Sequence, residues 1–499
     1  MLGSGIQYVS LGDGGRAAEP PVSVAPPVGQ RDTNLPVRGR DRLLAELAGG
    51  GPGVRVVHGL GGCGKTRLAL EAAWAAQQAG VEAWWVSAAD RGVLAAGMRA
   101  VGRRLGVPEA DLEHGDAADV IWHCLAARQD RWLLVIDNAD DPQLLAGAGR
   151  CVADGQGWLR PGTGPAGMVL VTSRDGAAAT WGPWCQRYRL GMLSPGEAAG
   201  VLADHVGRHP GLGNDKDAQA LAMRLGGLPL ALKIAGAYLA ASAAIPAAFA
   251  DPGAIGTYRQ YLAAVEAGPG TVFPAAGGEL TQEQARSLIG VTWDLTLDRL
   301  DARQLPEARH VLRLLATFAD APVPYQLLLA PAVLAGSPPL AGITGPRLWQ
   351  ALTALDDFGL IDLTPASQDP AALPAARLHP LVRDTSRPPA GTSEQMTMLG
   401  MAARLLTRAA AETGLPEDPA MWPAWQLLAP HAAHVFRSLT AEPDAPDDET
   451  AQAAYAAHMT ARCGASQGLH AQAEAEYRAV LAARVRVQGA DHPDTPDHS

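Results

Sequence analysis

The chain has 499 residues, room for roughly three to four domains of about 100–200 residues each. Hydrophobic residues make up 47% and charged residues only 18%, with Ala and Gly filling the difference, so sizeable cores can form. Basic side chains number 40 against 51 acidic ones, and the net charge of −11 supplies no electrostatic footprint for nucleic acid or an anionic membrane.

Residues 1–33 are rich in Gly, Pro and Ser without sustained periodicity and read as a flexible leader. Met1–Gln30 has no basic stretch followed by an apolar one, so no signal peptide is expected. From Gly53 short apolar runs alternate with amphipathic helices. Strands are expected at Val54–His58, Ala83–Ser87, Trp132–Asp137, Met168–Thr172 and Arg187–Leu190, and helices at Thr66–Ala79, Gly92–Leu105 and Ala117–Ala127. Such alternation predicts a parallel sheet covered on both faces, an α/β domain over 34–195.

An all-α domain is expected over 196–300. Its stretch Gly226–Ala250 is nearly all apolar, but Lys233, Pro229 and Pro246 interrupt it and Ala supplies most of its bulk. A buried helix is expected there rather than a membrane span. Over 301–388 the pattern is mixed. Helices are expected at Leu305–Phe318 and Arg347–Phe358, then strands Leu360–Leu363 and Ala376–His379 flanking a Pro/Ala-rich loop, Thr364–Ala375. Helices followed by such a hairpin predict a winged-helix domain. A helical linker (389–445) and a further helical region (446–499) complete the chain. Cys63, Cys124, Cys151, Cys185 and Cys463 are scattered and odd in number, with no CxxC pair, so neither a disulfide framework nor a zinc site is expected. A reducing cytoplasm fits.

The residues Gly59-Leu60-Gly61-Gly62-Cys63-Gly64-Lys65-Thr66 form a complete GxxxxGK[ST] loop that follows an apolar strand and opens a helix. Glycines let the backbone curl so that successive N–H groups point at phosphate oxygens, and the helix N-terminus adds partial positive charge. Lys65 is placed to bridge β- and γ-phosphates, and Thr66 to ligate Mg²⁺. Gly59, Gly61 and Gly64 also satisfy GxGxxG, but that fingerprint needs an acid at the end of the next strand, about 20 residues on. Glu82 precedes that strand and Ser87 ends it, so the P-loop reading prevails. A P-loop requires a second Mg²⁺ anchor at a strand end, and Trp132–Asp137 supplies it as Asp137, in the role of a Walker B aspartate. The strand before Arg174 ends in a polar cluster, from which Arg174 can report a γ-phosphate.

With these residues in hand, the chain resembles an NB-ARC protein of the STAND class of signalling NTPases. The ordered motifs are Val37-Arg38-Gly39-Arg40-Asp41, the P-loop, Asp137, Thr172-Ser173-Arg174, Gly227-Leu228-Pro229-Leu230-Ala231 and Leu378-His379-Pro380-Leu381, covering about Leu35–Arg387. The resemblance implies that Val37 and Arg40 line the adenine site, that Pro229 packs near the base, and that His379 bonds the ADP β-phosphate. Gly62, Cys63, Gly64 and Arg67 fall within or beside the phosphate loop and join the implied nucleotide-binding set. Two departures stand out. Asn138 follows Asp137 where many relatives carry a second acid, and an amide cannot take a proton, so rapid hydrolysis is not expected. Pro380 and Leu381 break the literal MHD triplet.

Gly468–Thr495, ending in Asp491-His492-Pro493-Asp494-Thr495, is similar to a tetratricopeptide repeat of kinesin-light-chain type, with Ala473 and Tyr477 at its packing positions. Only one unit is evident, so the region reads as the start of an α-solenoid. The function implied is an ATP/ADP switch with Mg²⁺, opening in ATP, self-assembling, and meeting a protein partner through the repeat region. At most it is a slow ATPase. A DNA-binding regulator is the competing class, but the helix Arg347–Phe358 carries Asp356 and Asp357 against one Arg347, so direct nucleic-acid binding is not expected; a DNA-binding domain would have to lie on other sequence. A slow metabolic ATPase is the third class, and no substrate-specific motif favours it.

Overall fold

The apolar runs become strands because both their faces are covered. In the computed structural model, β1 (Gly53–His58), β2 (Glu82–Ser87), β3 (Trp132–Asp137), β4 (Gly167–Ser173) and β5 (Cys185–Arg189) form one sheet, ordered β2-β3-β4-β1-β5. All pairings are parallel. The structure describes residues 23–488 apart from 29–30, 32–34, 114–116, 148, 208, 210, 247–248, 250–253, 268–279 and 365–372. Most of the expected leader, the centre of the Thr364–Ala375 loop and the Asp491–Thr495 motif therefore lie outside the described residues.

Val54, Val56 and Val57 of β1, Leu133 to Ile136 of β3 and Val169 to Val171 of β4 are buried, the near-continuous apolar pattern of strands with helices on both sides. Edge strand β5 instead exposes Gln186, Arg187 and Arg189, and the two arginine charges discourage pairing with a further chain. It begins two residues earlier than the sequence suggested, and Leu190 has left the strand, its N–H donating to the His58 carbonyl at 2.7 Å. Because β4 runs between β1 and β3, with His58 opposite Ser173 and Ile136 opposite Val171, the carboxyl ends of the three strands share one edge. In such sheets that edge is where ligands are held.

Five helices follow, Pro195–Val206, Asp215–Arg224, Pro229–Ala243, Tyr258–Ala267 and Gln282–Ala302. The apolar stretch from Gly226 is the helix Pro229–Ala243, started by its proline and buried on nearly every side through Leu230, Ala231, Leu232, Ile234, Ala235, Tyr238 and Leu239. Among the described residues no helix is long and apolar enough to cross a membrane.

The next region holds helices Glu307–Thr317 and Gly345–Asp357 and an antiparallel hairpin, β6 (Ile361–Leu363) with β7 (Ala376–Leu378). β7 ends one residue before the sequence suggested. His379 caps the following helix, Pro380–Ser386, its Nδ1 accepting the Leu381 N–H at 3.1 Å, with Pro380 at the first helical position. Helices Ser393–Glu412, Trp422–Ala441, Asp447–Ser466 and His470–Gln488 complete the described chain. In the last pair Ala473 is buried and the Tyr477 ring lies 5.4 Å from that of His458. One apolar core runs from Leu193 into these helices without a break, so the hairpin region is packed into its helical neighbours.

Candidate functional site

The loop from Gly59 to Thr66 leaves the carboxyl end of β1 and enters the helix Lys65–Gln78. Gly62 and Gly64 have φ of +76° and +96°, left-handed conformations that a side chain would strain. The loop is also closely bracketed. A Cβ on Gly59 would lie 2.5 Å from the Leu190 carbonyl oxygen, and one on Gly61 2.9 Å from Leu381 Cγ. Gly62 is held from a third side, where its carbonyl accepts the Leu230 N–H at 3.2 Å. Three distant segments thus converge on one curled loop, and the first N–H groups of the helix behind it have no partner within the helix.

Cys63 is fully buried, and that burial pushes its thiol pKa up, so it offers the site only backbone. Lys65 Nζ donates to the carbonyls of Gly59 and Leu60, both at 3.0 Å, and burial lowers its pKa. Thr66 Oγ1 donates to Asp137 Oδ1 at 3.0 Å. Thr172 Oγ1 donates to the same oxygen at 2.6 Å and accepts the Asn138 N–H at 2.9 Å. Burial raises the Asp137 pKa, and the two hydroxyls and Lys65 pull it back. Among the described residues Asp137 has no ion-pair partner. A half-buried carboxylate beside a hydroxyl, both hard oxygen donors, suits Mg²⁺, whose remaining ligands would be water and phosphate.

Arg174 is held at the same edge. Its N–H and Nε bond the Asp140 carboxylate at 2.8 and 2.7 Å, and its NH1 lies 3.7 Å from Asp384 in the helix after the hairpin. Asn138, with a positive φ of 62° that Asn tolerates, donates from Nδ2 to Asp320 at 3.3 Å. Arg383 joins Asp320 at 3.4 Å and Asp384 at 3.5 Å. Burial raises the Asp320 pKa, with Arg383 opposing it. The strand ends Asn138, Asp140 and Arg174 are therefore tied to the hairpin region through Asp320, Arg383 and Asp384.

The remaining expected residues fall around this centre. Arg40 donates to the Gly191 and Cys63 carbonyls at 2.6 and 3.3 Å, strapping the half-buried segment of Val37 to the loop. Pro229 starts the helix whose second residue, Leu230, bonds Gly62. Arg67 is committed to protein groups, the Leu35 carbonyl and Glu71, both at 3.0 Å. His379 is half-buried in the cleft, and burial, then the charges of Lys65, Arg174 and Lys233, push its pKa down to about 3. It is neutral at physiological pH. Since Nδ1 accepts a backbone N–H, the ring proton is on Nε2, which is left as a donor. The sequence reading missed Asp140, Asp320 and Asp384, and named Leu381 in a motif without giving it a site role. Asp384 was detectable as an acid one helical turn beyond Pro380; Asp320 has no local signal.

No protein-family model matches the chain. It is 30% identical over 196 residues to a nucleotide-binding leucine-rich repeat (NLR)-like protein of the fungus Hyaloscypha variabilis, which is 37% of this chain and 19% of that protein. Among solved structures, a STAND protein with a tetratricopeptide repeat sensor from Pyrococcus horikoshii is 17% identical, with 92% of this chain and 62% of that one covered and a TM-score of 0.42. A Walker-type ATPase of Pyrococcus abyssi is 14% identical, with 70% and 96% covered and a TM-score of 0.29. The chain thus spans about a fifth of the curated relative and under two thirds of the Pyrococcus horikoshii protein.

Proposed function

We propose that this chain is the nucleotide-dependent switch of a STAND/NB-ARC-type regulatory protein, held closed by ADP and opened by ATP. The observation that carries it is the meeting of three segments on the P-loop: Leu381 against Gly61, the Leu230 N–H on Gly62, and the Leu190 carbonyl beside Gly59. A loop that only held nucleotide for turnover would have no need of a distant hairpin region packed on it. The local similarity to an NLR-like protein supports the same reading.

In this reading residues 301–388 are a winged-helix domain closing on the nucleotide domain (34–195) beside the helical domain (196–300). Val37, Arg40 and Pro229 line the adenine side. The P-loop backbone and Lys65 bind phosphates, Thr66 and Asp137 hold Mg²⁺, which neutralises phosphate charge, and neutral His379 donates from Nε2 to the β-phosphate. Arg174, now paired with Asp140 and Asp384, is the group a γ-phosphate would draw away. Differential affinity of ADP and ATP for closed and open forms drives the change. Opening exposes surfaces for self-assembly, and the C-terminal helices (446–499) meet a protein partner as the start of a tetratricopeptide array. The five free cysteines fit a cytoplasmic setting.

Hydrolysis is slow in this scheme. Asn138 cannot accept a proton and Asp140 is occupied by Arg174. Denaturing the purified chain and identifying what it releases tests the proposal. Close to stoichiometric ADP, with turnover well below the ~10 s⁻¹ typical of enzymes, is expected. A chain that turns over ATP near that rate and releases no nucleotide is a metabolic ATPase.

A further inference from the structure

Beyond the residues already assigned, β7 carries a cation for which the fold gives no structural employment. Arg377 stands in register opposite Asp362 of β6. Side chains directly opposite in an antiparallel pair share a face, and an Arg–Asp pair there is a natural ion pair. It does not form. Asp362 is instead bound at 2.7 Å by Lys233 from the helix that begins at Pro229. The Arg377 backbone belongs to the β6–β7 ladder, but among the described residues its side chain makes no hydrogen bond or ion pair.

Its position decides which groups lie on its side of the hairpin. Ala376 is buried and bridges Val323, so Arg377 faces away from the hairpin region's own core. Alternation puts it on the same side as His379 two residues on, and Leu381, four residues on, rests against the P-loop glycines. The side chain is exposed to solvent, although the surrounding protein lowers its pKa by desolvation. The charge that offsets this most is Asp137 rather than its cross-strand neighbour Asp362. Yet the Asp137 carboxylate takes hydroxyl donors from Thr66 and Thr172. An exposed arginine with no protein partner, on the side of the hairpin that carries His379 and Leu381 toward the P-loop, is available as a ligand. Its planar fork matches phosphate oxygens in pairs.

We propose that Arg377 is a phosphate-binding residue of the nucleotide site, supplied by β7 to the phosphate chain of a bound adenine nucleotide. The assignment rests on the nucleotide-switch reading and adds a second contact, beside His379, through which the hairpin region would feel the phosphates. Losing it weakens nucleotide binding without touching the P-loop.

The test uses the full chain and fluorescent ADP with Mg²⁺, comparing wild type, Arg377→Ala, Arg377→Lys and Lys65→Ala, with thermal melting of each in the absence and presence of ADP. Arg377→Ala is expected to bind ADP about ten- to a hundredfold more weakly, the range for one hydrogen bond to a charged group. Its melting temperature without nucleotide should match wild type, and its ADP-induced rise should shrink. Arg377→Lys, which keeps the charge but not the fork, should fall between. ADP affinity within twofold of wild type for Arg377→Ala, while Lys65→Ala binds none, overturns the assignment and leaves the switch reading standing. A lowered melting temperature without nucleotide and an unchanged ADP shift overturns it in favour of a structural arginine. Wild type that binds no ADP brings down both.

Discussion

The phosphate loop and the face that the hairpin region turns toward it are made of different materials. The first is backbone: a curled stretch between β1 and its helix, with only Lys65 and Thr66 adding side chains from the same eight residues. The second is side chains alone, contributed by a loop acid (Asp320), a helix cap (His379) and a short helix (Leu381, Arg383, Asp384). Backbone fixed by a parallel sheet binds the same group in every state. Side chains reaching across an interface bind only while the interface is closed. That division is what a switch needs, with affinity in one part and state-dependence in the other.

The largest effect is expected at Lys65. Lys65→Ala should lose nucleotide affinity by about a hundredfold or more, since charged hydrogen bonds to phosphate are each worth ~1.5–3 kcal/mol. Circular dichroism should be unchanged, because Lys65 bonds only carbonyls of its own loop. Retained affinity in a fluorescent-nucleotide titration would mean that the loop is not a phosphate site. Asp137→Ala is expected to be next in size. Acting through the metal, it should weaken Mg²⁺-ATP at least about tenfold more than Mg²⁺-free ADP. Equal losses for the two ligands would reassign Asp137 to holding Thr66 and Thr172 in place.

The other half predicts effects on rates rather than on capacity. His379→Asn keeps a side chain able to cap the helix while removing the long Nε2 reach. ADP release should accelerate about ten- to a hundredfold, from the same ~1.5–3 kcal/mol for one bond to a charged group. A stopped-flow rate within twofold of wild type would make His379 a capping residue only. Asp384→Ala should do least. Its contact with Arg174 is 3.7 Å long and partly solvated, and such pairs contribute ~0.2–1 kcal/mol, so release should speed up no more than about fivefold. A larger effect would make the ionic bridge, rather than the phosphate contact, the principal tie.

The two halves also differ in how much of them was legible. The loop, Asp137 and the strands around them stand in the sequence as contiguous patterns, because backbone curvature and a both-faces-covered sheet demand particular residues at fixed spacing. Strand ends were less certain. Leu190 was read as the last residue of β5 and lies one position past its end, although its N–H still donates to the His58 carbonyl of β1. Similarly, His379 looked like the last strand residue and is the cap of the next helix. Beyond His379, little of the interface could be read from local pattern. Asp320 lies 182 residues from Asn138, and nothing around either marks the other. Leu381 reads as an ordinary apolar helix residue until the fold sets it on Gly61.

On the switch reading, the interface opens when ATP replaces ADP. Small-angle scattering of the full chain, saturated with ADP and then with a non-hydrolysable ATP analogue and Mg²⁺, tests it directly. The expected result is a compact particle in ADP and a larger radius of gyration, with self-association at higher concentration, in the analogue. Superimposable curves, with binding of both nucleotides independently verified, would contradict it.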